Sequence, residues 1–275
     1  MNWSPWLESV AVSLLALGGF LLGRWFSRLP KHYWLLGYFL ALILILVYGA
    51  AMRIPSFAFV PPVSWMMMGR NKFAVIGFIA TMVLTTPLSR LPQRRSRVAV
   101  IFLMVVVVCL MSVWPFLAPA FNRKQLASLQ TRFDSDGICL QSNDYNCGPA
   151  AAVTALRKLG LPAEEGEIAI MAHTSSATGT PPDVLAKALQ GRYAKDGLTS
   201  DYRVFRNVEE LKNGGLTLAV IKYRFWVDHY VTVLEATNEH IVVGDPARGR
   251  CTYSYREFGD KWRFVGVVLS RSQRL

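Results

Sequence analysis

Four apolar stretches crowd the first 120 residues, at about 6–22, 34–51, 73–88 and 98–117. A helix needs roughly 20 mainly apolar residues to cross the hydrocarbon core of a bilayer. The second and fourth stretches meet that length. The third is short and contains Pro87, and the first carries Glu8 near its start. Residues 57–68 are apolar but broken by Pro61-Pro62, and read as an interfacial or re-entrant piece. The expectation is an α-helical transmembrane bundle of about four helices over residues 1–120. A mean hydropathy of +0.29 for the whole chain agrees with membrane content. No basic segment precedes the first stretch, so the N-terminus reads as retained rather than as a cleaved signal.

The net charge of +12 is unevenly distributed. Residues 1–120 hold ten Lys/Arg and one acid, Glu8, whereas residues 121–275 hold 20 Lys/Arg and 17 Asp/Glu. A nucleic-acid-binding chain would carry its basic patch on the polar domain, so nucleic acid is not an expected partner. Membrane lipid is. Arg24, Arg28 and Lys31 lie between the first two stretches, and Arg90, Arg94, Arg95 and Arg97 between the last two. The middle connection has Arg53, Arg70 and Lys72. Basic loops stay in the cytoplasm, so four crossings put both termini on the far side. The stretches hold almost no internal charge, which favours an anchor over a transport pathway.

From residue 121 onward charges become frequent and apolar runs shorten to strand length. Residues 121–137 read as a linker and 138–275 as a second domain. Helices are expected at 149–159, 164–172 and 182–189, with a short one at 208–212. Strands are expected at 202–205, 216–222, 229–236, 240–244 and 264–270. Helices followed by antiparallel strands make an α+β order.

Three motifs in this domain carry chemistry. Cys147 stands just before a helix whose first turn contains Pro149. Helix N-termini leave N–H groups unpaired and bear partial positive charge, which favours thiolate over thiol. The same N–H groups, with the side chain of Gln141, are placed to hold an oxyanion. A small buried cysteine capping a helix is the alternative. His229 opens an apolar strand, and histidine is the natural base for a thiol nucleophile. Asp245 ends the next strand at an Asp-Pro turn, where a carboxylate can fix the imidazole tautomer. A turn at 237–239 pairs the two strands as a hairpin and brings His229 and Asp245 roughly opposite one another.

Other residues invite weighing. His173, in a Ser/Thr/Gly-rich segment, and His240 are alternative bases that read as structural. His32 reads as interfacial and Asp228 as a solvated charge. Tyr223, Phe225, Trp226 and Tyr230 line either a peptide groove or ordinary core. Of the four cysteines, Cys109 reads as a small buried hydrophobe, and Cys139 and Cys251 are able to pair in an oxidising compartment. No CxxC pair or Cys/His cluster has zinc spacing, so neither metal nor cofactor is expected.

Gln141, Cys147-Gly148-Pro149, His229-Tyr230-Val231 and Asp245-Pro246 occur in that order over residues 138–269. In this the domain resembles the bacteriocin-processing, double-glycine cysteine peptidases, which are papain-like. Asn146 stands where that family usually has aspartate. The resemblance implies a papain-like fold with Cys147 as nucleophile, His229 as base, Asp245 as orienter and Gln141 as oxyanion-hole donor. It implies a hydrolase acting on peptide or protein substrates, including leader or exported peptides. With the charge bias, it implies an integral protein of a bacterial inner membrane whose peptidase domain is extracytoplasmic. Well-known members precede an ABC transporter; here the domain follows the apolar segments and no GxxxxGK[ST] loop occurs, so no ATPase is present in this chain. A peptide-binding module without catalysis and a thiol acyltransferase are the alternative readings. Oligomeric state is left open.

Overall fold

All four apolar stretches are helical in the computed structural model, which describes residues 5–224 and 227–272. Phe225 and Trp226 lie outside the described residues. The chain divides into two compact units, Met1–Ala120 and Phe121–Leu275.

In the first unit, α1 (Pro5–Ser27) and α2 (Leu36–Arg53) are followed by two single turns, α3 (Pro55–Ala58) and α4 (Val63–Met67). Residues 57–68 therefore do not form a crossing helix. After α5 (Asn71–Thr85), one continuous helix runs through α6 (Arg94–Val108), a π segment (Cys109–Val113) and α7 (Trp114–Ala127). Three helices are long and apolar enough to cross a membrane, and α5 is a shorter apolar fourth. Leucine, isoleucine and phenylalanine on α1, α2 and α6 point outward (Leu14, Phe39, Leu46 and Phe102 are all over 60 % exposed), as lipid-facing side chains do. Cys109 is likewise exposed and not the buried residue the sequence suggested.

The α1 and α5 helices run parallel in fixed register. Glu8 pairs with Arg70 at one end, and the Ser89 N–H donates to Ser27 Oγ at 2.8 Å at the other. Between them a β-carbon at Gly23 would collide with Thr85, so glycine is what allows the approach. The turn from α1 into α2 and the turn from α5 into α6 lie at the same end of this unit. They bring Arg24, Arg28, Lys31, Arg90, Arg94, Arg95 and Arg97 together there.

The second unit takes in the end of α7, then a short hairpin, β1 (Arg132–Phe133) and β2 (Cys139–Leu140), and helices α8 (Cys147–Lys158), α9 (Glu165–Met171) and α10 (Pro182–Tyr193). The remainder is mostly strand: β3 (Leu198–Val204), β4 (Leu216–Arg224), β5 (Val227–Ala236), β6 (His240–Asp245), β7 (Gly249–Ser254) and β8 (Trp262–Arg271). A 3₁₀ turn at Val208–Asn213 precedes β4, and α11 (Tyr255–Lys261) precedes β8. The six long strands form one antiparallel sheet in the order β3-β8-β4-β5-β6-β7.

Both faces of this sheet are covered. One carries a core of Ala219, Ile221, Val231, Val233, Ile241 and Val243 against Phe258 and Trp262. Across the sheet, α8 packs on β5 and α10 on β3. Two-sided burial explains why β4, β5 and β6 read as continuous apolar runs rather than as alternating ones. The expected α+β architecture is present. The sequence reading omitted β7 and α11.

Candidate active site

Cys147 is the first residue of α8, a helix buried over most of its length. The small side chains of Ala150, Ala151, Ala152 and Ala155 let it sit close against the sheet, and each is fully buried. Two threonines fix its position. Thr232 Oγ1 of β5 donates to the Ala151 carbonyl at 2.8 Å, and Thr154 Oγ1 of α8 accepts the Cys139 N–H at 2.9 Å. Ala151 lies about one helical turn from Cys147, and Thr232 lies three residues along β5 from His229. The Thr232 hydrogen bond therefore indexes nucleophile helix to histidine strand.

The β5–β6 register supplies the third residue. Thr232 pairs with Gly244, which puts Asp245 one strand over and diagonal to His229, on the same face. Diagonal neighbours are within reach of longer side chains, and His229 Nε2 lies 2.7 Å from Asp245 Oδ1. Both side chains are buried. With Nε2 occupied, Nδ1 is left for Cys147, whose thiol also hydrogen-bonds the ring.

Burial is the largest single influence on His229 and works against its charged form. The hydrogen bonds to Asp245 and to Cys147, and the charges of both, outweigh it and raise the imidazole to about 9. For Asp245 burial again opposes charge, but the His229 hydrogen bond, the Ala247 N–H at 2.8 Å and the charges of His229 and Arg248 hold the carboxyl below its ordinary value. Each partner thus favours the ionised form of the other.

Gln141 joins this group through its backbone. Its N–H donates to the carbonyl of Pro246, beside Asp245, at 2.9 Å. Its side-chain Oε1 is buried without a hydrogen-bond partner, which leaves the NH₂ end as the one turned outward. Glu165, a fully buried carboxylate at the start of α9, clamps the next residue: it accepts from the Ser142 N–H at 2.9 Å and from Ser142 Oγ at 2.6 Å. Nothing in the sequence distinguished Glu165 from an ordinary helix-start acid.

A second support was also missed. Tyr230, next to His229, donates its hydroxyl to the Thr180 carbonyl at 2.9 Å, and Thr180 Oγ1 is bonded to Thr174 Oγ1 at 2.8 Å. The Thr180 side chain in turn rests on Gly148, where a new β-carbon would lie 2.9 Å from Thr180 Cβ. Gly148→Ala should therefore cost about 1–3 kcal/mol through overpacking, read as a lower midpoint of thermal unfolding, and should slow cleavage as Thr180 is displaced.

The remaining candidates hold other places. His240 Nδ1 lies 3.3 Å from Thr237 Oγ1 in the β5–β6 turn. His173 occupies a left-handed position (φ 53°) after α9, and His32 precedes α2. Asp228 is not merely solvated, since Arg263 Nε donates to it at 2.9 Å. Tyr223 packs its ring 5.1 Å from that of His229. Cys139 and Cys251 are both free thiols.

Comparison with known proteins bears on the family. An uncharacterized protein of Methanothermobacter thermautotrophicus is 29 % identical over 141 residues, spanning 51 % of this chain and 92 % of that protein. The probable functional amyloid protease FapD of Pseudomonas aeruginosa is 28 % identical over 153 residues, spanning 54 % and 65 %. Among solved structures, the double glycine motif protease from an AMS/PCAT transporter, in complex with the leader peptide, is 17 % identical with a TM-score of 0.41, covering 52 % of this chain and 93 % of its own. The profile of the Peptidase C39 family matches residues 136–274. The chain therefore belongs to the peptidase C39 family, and its second unit is a cysteine peptidase.

Proposed function

We propose that the protein is a membrane-anchored endopeptidase that cleaves peptide or protein substrates, leader or exported peptides among them, by a Cys147–His229–Asp245 triad. The observation that carries this reading is the His229 ring, bonded to Asp245 at 2.7 Å and to the Cys147 thiol. His229 takes the thiol proton of Cys147, and Asp245 stabilises the imidazolium that results. Cys147 Sγ attacks the scissile carbonyl carbon and the oxyanion is held by the Cys147 N–H and the Gln141 side chain. As the C–N bond breaks, His229 gives its proton to the leaving amine. Water then attacks the thioester, His229 accepts a proton from it, and the carboxylic product leaves with the thiolate restored.

The three long apolar helices anchor the peptidase. Basic connections stay in the cytoplasm, and on this reading the Arg24/Arg90 end is cytoplasmic and the peptidase lies on the extracytoplasmic side of a bacterial inner membrane. There it meets exported chains.

Incubating the detergent-solubilised chain with a mixture of unstructured peptides, and sequencing the products by mass spectrometry, tests the reaction class. New amino and carboxyl termini in equal number are expected. Peptides joined with release of an amine would instead identify an acyltransferase. Capture of peptides with no covalent change would identify a binding module. In the same assay Gln141→Ala should lower kcat by about 10²–10³-fold with little change in KM, because its amide meets the oxyanion and not the ground-state carbonyl.

A further inference from the structure

We infer that the first unit carries a binding site for one anionic glycerophospholipid, in the groove between α1 and α6. The inference rests on the membrane-anchor reading above. The groove, of about 540 Å³, is lined by Phe20, Leu21, Trp25 and Ile101 along its apolar part and by Arg24 and Arg28 at its charged end. Phe20 lies one helical turn inward from Arg24. Ile101 lies seven residues into α6, about 10 Å from its first residue. The groove thus grades from two guanidinium groups to bare hydrocarbon over the depth that separates a lipid phosphate from its upper acyl chain.

Charge decides the occupant. Glu8 is the only carboxylate side chain among residues 1–120, and it pairs with Arg70 at the opposite end of α1. The seven cations therefore have no acid of this unit at their end of it. Arg90 Nη2 donates to the Leu29 carbonyl at 2.6 Å and Arg97 Nε to the Leu91 carbonyl at 2.8 Å. Among the described residues no protein group hydrogen-bonds or ion-pairs with the side chains of Arg24 or Arg28. Guanidinium groups match phosphate oxygens bidentately, and basic pockets between helices at a membrane surface take anionic headgroups. A zwitterionic lipid would bring its own cation into a field of seven, and a free phosphate would leave the apolar part of the groove unused.

The test is native mass spectrometry of the full chain released from detergent micelles containing phosphatidylglycerol or phosphatidylcholine. One retained phosphatidylglycerol per chain is expected, with phosphatidylcholine lost. Arg24→Gln/Arg28→Gln should weaken retention about tenfold or more, at roughly 1 kcal/mol per arginine. Arg94→Gln/Arg95→Gln removes the same charge outside the groove and should have far less effect. Equal weakening by both pairs would mean diffuse attraction and overturn a defined site. Displacement by millimolar inorganic phosphate would also overturn it, in favour of an anion site. Extraction of membranes with alkaline carbonate separates this inference from the reading it rests on. A chain that stays with the membrane but retains no phosphatidylglycerol refutes the lipid site alone; a chain that is extracted refutes the anchor.

Discussion

Cys147→Ala is expected to abolish peptide cleavage, lowering kcat/KM by at least about 10³-fold. The side chain removed is small, and it sits at the first position of α8, outside the run of buried alanines that packs on the sheet. Thr232 and Thr154 keep their bonds to the helix without it. The variant should therefore fold with an unchanged unfolding midpoint and still bind substrate. No other thiol is placed to take over. Burial, reinforced by Glu165, pushes Cys139 up to about 12, and burial followed by the Asp245 charge raises Cys251. Full activity in Cys147→Ala, measured as product formation from a cleaved peptide, would contradict the assignment outright.

Asp245→Asn is the second large effect, a loss of about 10²–10⁴-fold in kcat. Asparagine preserves the shape of the β6 end but removes the charge that holds the His229 ring. The pH profile separates this from a structural fault. The imidazolium must survive to protonate the leaving amine, so wild-type kcat/KM should fall as pH rises through about 9, where His229 gives up its proton. Without the Asp245 charge and hydrogen bond, that alkaline limb moves to lower pH. Stability follows the same couple. The raised His229 contributes stability that is complete below its ordinary value and is lost as pH rises through about 9. The depressed Asp245 contributes stability present above its ordinary value and lost as pH falls through the lowered one. The folded enzyme is thus strongest between those two limits, and Asp245→Asn flattens the profile at both ends.

Much of the site could be read from residue order because each member marks an element boundary. Cys147 starts a helix, His229 opens a strand, and Asp245 closes one at Pro246; each motif alone is weak, and it is their joint order that carries the reading. The hairpin count put His229 and Asp245 opposite one another. The register makes them diagonal: Asp245 falls opposite Val231, two residues from His229, and the bulge between Val233 and Glu235 is what puts it on the His229 face. Glu165 and the Tyr230–Thr180–Gly148 contacts were not legible, since they join residues 23 and 50 positions apart whose local sequences look ordinary. Another miss was avoidable: Ser254 and Glu257 form a capping box at the start of α11, and that signature stands in the sequence. The β7 strand was overlooked for a physical reason. It is an edge strand with Arg250, Thr252 and Ser254 turned outward, and so lacks the apolar run that betrays its neighbours.

The activation of Cys147 by His229 is tested most directly by the rate at which a thiol-reactive peptide mimic labels the solubilised chain near neutral pH, with the labelled cysteine located by mass spectrometry. Cys147 is expected to react well ahead of Cys109, Cys139 and Cys251, and His229→Ala to remove the advantage. Labelling of Cys147 at the pace of an ordinary thiol, unchanged in His229→Ala, would contradict that activation.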